Sequence, residues 1–277
     1  MGPERIKTKL RFVGQQKDEK IDLAETALLL AALDLPKVKI IPYRKHLQKM
    51  VGDVQNSIPS GAIHDTTLRA ETLAKVIGNE MGYCGDTLTY NDPQNANFMR
   101  IIDRRKGLPV GLAIIYLSVA QKLKWNASGL NFPGHFLIRI GCGPNRMILN
   151  PFNKGSRCKA SDLRKLLQQM FGKGAEIRPN HYNPASNRDT LIRLLNNTKI
   201  RAQKSSDFKR AVNVIERMLI IAPKLSNLLF EAGVFYARIG NLKSSANALE
   251  KYLTSNGQNI DQHAAKTLLQ KVCSKLN

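Results

Sequence analysis

The 277-residue sequence has no apolar run long enough to cross a bilayer. Its longest, Ala27 to Leu33, falls far short of the roughly 18–20 residues that a membrane helix needs, and Asp22, Glu25 and Asp34 flank it. Met1 to Lys20 is polar and lacks the apolar core and small-residue cleavage site of a secretory signal. Cysteine is sparse: Cys84, Cys142, Cys158 and Cys273 form no C-x-x-C pair, and the histidines offer no compensating ligand spacing. No metal site is therefore expected, and no cofactor. Scattered free thiols suit a reducing compartment. Together these absences predict a soluble cytoplasmic protein with no membrane partner.

Aromatic residues make up only 6%, and no basic stretch interleaves them as a base-stacking platform would. This matters because the net charge is +22, a value that invites a nucleic-acid reading. The excess is spread evenly, +13 as far as Asn180 and +9 from His181 onward, rather than gathered into one block. An RNA- or ribosome-associated role therefore rests on charge alone.

What is present is helical punctuation. Met1 to Lys20 reads as a basic tail. Ile21 to Leu33 reads as a helix stopped by Pro36, and a second helix follows Pro42 to about Asp53. After a turn at Pro59-Ser60-Gly61, Asp65 or Thr66 caps a helix from Leu68 to Met81, with Leu73, Val76, Ile77 and Glu80 on its buried face. Asp92-Pro93 opens another helix, which runs to Lys106. Gly107-Leu108-Pro109 breaks it, and Val110 to Leu123 is apolar on most faces, as a central buried helix is.

The period then shortens to 2. Asn126–Leu130, His135–Ile140 and Met147–Leu149 read as strands, the last two as an antiparallel hairpin. A helix with Ser161 as its cap runs to Phe171, and an irregular segment leads to Asn187. Beyond it a 34-residue period appears: Ala211, Ile215, Met218 and Pro223 return as Ser245, Leu249, Tyr252 and Gly257. Leu229, Ala232, Gly233 and Tyr236 mark one helix, Gly240 a turn, Ser245 to Leu253 the next helix, and Asp261 to Leu276 a capping helix. That period with small residues at the helix crossing fits the tetratricopeptide pattern. The expected domains are 21–180 and 188–277, and the fold class is α+β, mostly helical, with a small antiparallel sheet followed by a helical array.

Four runs carry a family likeness: Tyr90-Asn91-Asp92-Pro93-Gln94-Asn95-Ala96-Asn97, Arg104-Arg105-Lys106-Gly107-Leu108-Pro109-Val110, Asn131-Phe132-Pro133-Gly134-His135-Phe136-Leu137 and Asn150-Pro151-Phe152-Asn153. In these the chain resembles the SirB family of transglutaminase-like proteins, from about Ile21 to Asn277, C-terminal repeats included. The resemblance implies a papain-like core, in which a buried helix presents a nucleophile from its first turn. One strand of that core presents a histidine, and the next an acid or amide that fixes the histidine tautomer. A thiol at a helix N-terminus gains from the helix dipole and from an imidazolium partner.

On this chain the resemblance puts His135 in the histidine position and Asn150 in the orienting one, where the family favours Asp. The matching helical turn, Pro109-Val110-Gly111-Leu112-Ala113, has no Cys, Ser or Thr. By spacing alone, His135 fits a turn hydrogen bond as well as it fits a catalytic role, and Cys84 fits an inert core thiol as well as a displaced nucleophile. Gly111 is read as leaving room beside His135 for a bound peptide or small molecule. Arg104 and Arg105 fit either a solvated helix end or contacts with an anionic partner, and Tyr236 is a candidate contact in the repeats. Three functions follow: a non-catalytic peptide- or protein-binding or regulatory module, a cysteine-type amidase or peptidase using His135 with Cys84 or water, and the RNA-associated role. Oligomeric state is left open.

Overall fold

The computed structural model describes residues 2–59, 65–255 and 261–276. Ser60, Gly61 and Gly257, read above as turn and repeat-end residues, lie outside the described residues. The chain divides into two compact units, one of Met1–Ile6 and Lys17–Leu194 and the other of Lys7–Gln16 and Leu195–Asn277.

The N-terminal segment departs from the expected tail: helix α1 spans Pro3–Gln15. Ile6, Leu10 and Val13, spaced four and three apart, are buried along it. Its Gly14 admits close approach of a backbone, since a Cβ there would stand 2.2 Å from the Ile220 carbonyl oxygen. The apolar positions are present in the sequence but are masked by Lys7, Lys9 and Arg11 between them.

In the first unit α2 (Leu23–Ala32) is capped by Asp22, whose side chain accepts from the Glu25 N–H, and α3 (Ile41–Ser57) starts at a proline. Asp65 caps α4 (Thr66–Leu73), which widens into a π-helical stretch over Ala74–Glu80. Leu73, Val76 and Ile77 are buried as expected, but Glu80 is exposed, because the wider turn rotates it off the apolar face. The expected helix from Asp92 is two: Asp92 caps a 3₁₀ turn at Pro93–Ala96, then Asn97 breaks the chain direction and caps α5 (Phe98–Arg104) by accepting from the Met99 and Arg100 N–H groups. Short parallel strands β1 (Cys84–Gly85) and β2 (Lys106–Gly107) flank this segment.

Pro109 sits at the first position of α6 (Pro109–Lys122), where its missing N–H costs nothing. Every residue from Pro109 to Ala120 is buried, beneath α2, α3, α5 and β3 (Ala127–Leu130). Each large aliphatic side chain so buried contributes about 1.5–3 kcal/mol, which makes this helix the core of the unit. The sheet continues through β4 (Ile138–Ile140), β5 (Met147–Asn150), β6 (Ser156–Arg157) and β7 (Pro184–Ala185), in the antiparallel order β6-β5-β4-β3-β7. Ile138 pairs with Leu149 across the expected hairpin, and Leu130, Leu137 and Ile148 pack on Leu163 and Leu167 of α7 (Ala160–Phe171). The cap of α7 is Lys159 rather than Ser161, and the Asp162 carboxylate reaches back to its N–H at 2.9 Å. Helix α8 (Asn187–Lys204) closes the unit with its residues up to Leu194.

The second unit stacks α9 (Phe208–Ile221), α10 (Asn227–Arg238), α11 (Leu242–Thr254) and α12 (Gln262–Cys273), each packed on the next. Ala211, Ile215 and Met218 are buried, and so are Ser245, Leu249 and Tyr252 at the matching positions 34 residues on. Gly240 takes the left-handed turn, with φ 76°.

Candidate functional site

His135 lies three residues ahead of β4, not in it. Gly134 turns the chain with φ 69° just before it. Arg193 of α8 then donates to the carbonyls of Phe132 and His135, at 3.2 and 3.0 Å, while its guanidinium lies 4.9 Å above the Phe136 ring centre. These contacts hold the loop out of the sheet ladder, which is why the strand starts late.

The His135 side chain is 8% exposed, and its Nε2 stands 2.9 Å from Asn150 Oδ1 at the end of β5. The same Asn150 oxygen accepts the Phe152 N–H at 3.1 Å. That second bond fixes which end of the amide faces the ring, so Nε2 carries the proton and donates it, leaving Nδ1 as the basic nitrogen. Burial pushes the imidazole below its ordinary value; the Asn150 bond opposes this, and the Arg193 cation adds to it. The neutral, oriented ring could take a proton from a thiol, hydroxyl or water. Asn150 can orient the ring but has no charge to stabilise an imidazolium.

Phe152, one residue into the turn after Pro151, meets His135 edge-on at 5.8 Å and Tyr90 edge-on at 6.0 Å. Gly85 lies flat beneath the same ring, since a Cβ there would stand 2.4 Å from it. Cys84, next along β1, is half-buried and lies close to Tyr116 of α6. Burial, and secondarily Cys84, raise the Tyr116 phenol above its ordinary value. Met170 and Phe171 stand against Gly134, the residue before His135, and both are exposed.

The remaining candidates are engaged elsewhere. Gly111 does not open space beside His135: a Cβ there would stand 2.3 Å from Ile101 Cδ1, so the glycine lets α5 and α6 approach closely. Arg104 is no solvated helix end. It donates at 2.8 Å to both Asp86 and Asn95, inside a loop where Asp86 also accepts the Thr89 N–H and hydroxyl. The Thr89 bonds first, then Asn95 and Arg104, outweigh burial and hold Asp86 well below the usual carboxylate range. Arg105 takes a left-handed conformation (φ 55°) and donates to the Met81 carbonyl at 2.9 Å. Tyr236 in the second unit donates to Glu216 at 2.6 Å. Sequence reasoning gave no role to Arg193 or Phe152. Phe152 stood inside a quoted motif and could have been found there, but nothing in the run around Arg193 signals a partner some 60 residues earlier.

Comparison with known proteins agrees with this architecture. Residues 41–196 match the family model described as the transglutaminase-like superfamily, and residues 198–270 match a tetratricopeptide repeat model. A UPF0162 protein of Xylella fastidiosa (strain Temecula1) is 28% identical over 239 residues, covering 85% of this chain and 84% of its own length. A UPF0162 protein of Pseudomonas aeruginosa is 28% identical over 201 residues, covering 73% of this chain and 72% of its own. One of Vibrio cholerae is 25% identical over 224 residues, with coverages of 80% and 81%. The likeness to SirB-type proteins thus extends over most of the chain. Repeats of the tetratricopeptide type generally mediate protein–protein interaction, and among the described residues no helix is long and apolar enough to cross a membrane.

Proposed function

Starting from a chain that belongs to the transglutaminase-like superfamily, with tetratricopeptide repeats after it, we propose that it is a non-catalytic peptide- or protein-binding module. One observation carries the reading. The first turn of α6, Pro109–Ala113, holds no thiol or hydroxyl, and all five of its residues are buried. A histidine oriented by Asn150 has lost the partner that would make a covalent bond, but it keeps a hydrogen-bonding nitrogen for a ligand. The exposed Met170 and Phe171 make the approach to it apolar, which suits a side chain or peptide better than a small ion.

Two measurements test this. Neither the wild type nor His135→Ala should hydrolyse amide or isopeptide substrates; turnover that disappears in His135→Ala would overturn the reading. Peptides selected by display on the full chain should lose about tenfold in affinity on Phe171→Asp, the loss of one apolar anchor.

A second reading is an amidase or peptidase with a displaced thiol. It is favoured by the position of Cys84 beside Gly85, under the Phe152 ring that His135 touches. On that reading Cys84 alkylates with iodoacetamide faster than a free thiol below the ordinary thiol pKa of about 8.5, and slows in His135→Ala. Equal rates in both proteins exclude it.

A further inference from the structure

A concavity in the first unit shares no lining residue with the surroundings of His135. It lies between α2, α3 and the C-terminal half of α6 and has a volume of about 390 Å³. This falls within the range of about 300–1,000 Å³ that small-molecule sites occupy. Its exposed wall surface is mainly apolar, from Leu28, Leu47, Val51 and Val119, with Gln48 and four charged side chains also lining it. A further wall residue, Ser118, is 6% exposed, and its hydroxyl is buried without a hydrogen-bond partner. A serine one turn from the end of a buried helix would ordinarily bond back to its own helix or be replaced by alanine. Here the residue lines the cavity, and its hydroxyl, itself scarcely exposed, has both donor and acceptor capacity unused.

The charges around the cavity are already satisfied. Arg44 forks onto the Glu25 carboxylate at 2.7 and 2.5 Å, and Lys122 donates to Asp22 at 2.7 Å. Asp22 is further committed by its other oxygen to the first turn of α2. Four charges therefore cancel in two pairs, and a charged ligand would have to displace one of the partners. From the mainly apolar walls, the unpartnered hydroxyl and the cancelled charges, we propose that this cavity binds a neutral small molecule with a compact apolar body and one hydroxyl or carbonyl group, which Ser118 recognises. The proposal is independent of the role of His135.

The test is a methyl-detected NMR titration of the full chain with hexan-1-ol, and with hexanoate as the charged match. Hexan-1-ol should shift the methyls of Leu28, Leu47, Val51 and Val119 saturably, and hexanoate should bind at least about tenfold more weakly. Ser118→Ala, which removes only the hydroxyl, should weaken hexan-1-ol binding about three- to tenfold while leaving the ligand-free protein at least as thermally stable as wild type. Leu47→Phe, which fills the cavity from a half-buried position, should abolish the shifts. The proposal is overturned by an absence of saturable shifts in the wild type. It is equally overturned by unchanged affinity in Ser118→Ala, or by hexanoate binding as tightly as the alcohol.

Discussion

Gly111 on α6 and Gly233 on α10 invite opposite readings and do the same work. In the first unit a glycine in the turn that has lost a nucleophile looks like room for a ligand. In the second, a glycine within a helix of the repeat unit looks like the crossing point of two helices. Yet a Cβ at Gly111 would stand 2.3 Å from Ile101, and one at Gly233 would stand 2.6 Å from Leu249. A missing side chain measures how close the opposite wall has come, not how open the space is. The two regions also differ in which polar groups they bury, the second burying Lys199 against Glu231 as well as Ser245. Around α10 and α11, Ser245 serves packing, its hydroxyl donating to the Gly233 carbonyl at 2.7 Å. The first unit buries Asp86 and Asn95, each held by several hydrogen bonds that shape loops, and His135, whose ring meets Asn150.

Substitution tests that comparison most strongly at the glycines. Alanine is a poor probe, because it returns about 1 kcal/mol of helix propensity and so hides part of the clash. Gly233→Val should cost about 3 kcal/mol in urea unfolding, since the added branch meets Leu249 at its Cγ close to the backbone. Gly111→Val should cost about 2 kcal/mol, because Ile101 Cδ1 is a side-chain end that can turn aside. A neutral Gly111→Val would break the comparison and restore the open cleft. Arg104→Ala should cost about 2 kcal/mol by leaving Asp86 short of a partner, less than the about 3–5 of a fully buried pair because Arg104 is 25% exposed. A smaller change, Ser245→Ala, should cost about 1 kcal/mol, the worth of one neutral hydrogen bond.

These magnitudes also explain which features were legible in the sequence. The repeat unit is built by periodic apolar and small residues, so Ala211, Ile215 and Met218 and their counterparts announce themselves by spacing. Helix α6 announces itself by composition, and the Ile138–Leu149 hairpin by the change of period. The His135–Asn150 pair was reachable through its motifs. Asp86, Arg104 and Arg193 were not: their roles rest on partners 9 to 61 residues away, brought together by loops that carry no period. Helix α1 was missed for a different reason. Four cations among its residues outweigh the three apolar positions that anchor it.

Acid should act on the first interior with the smallest effect, through its two buried or half-buried histidines. Burial first, and the Arg193 cation with it, lower the His135 imidazole; burial first, then Arg105 and Lys49, lower His46, whose Nε2 meets the buried Tyr83 hydroxyl at 2.8 Å. Both rings are therefore more acidic when folded than in the unfolded chain, where histidine titrates near 6.5. Above that pH both states are neutral, and the contribution of the neutral rings to stability is fully present. As the pH falls from about 6.5 through the lower folded values, the unfolded chain takes up protons that the fold refuses, so stability declines. The urea midpoint of the wild type should thus drop between pH 7.5 and 5.5. His135→Gln, which keeps a hydrogen-bonding side chain but cannot titrate, should show a shallower drop over the same interval. If its slope equals that of the wild type, the His135 ring accepts a proton in the fold as readily as in the unfolded chain, and the cleft around it is wetter than the packing of Phe152 and Arg193 implies.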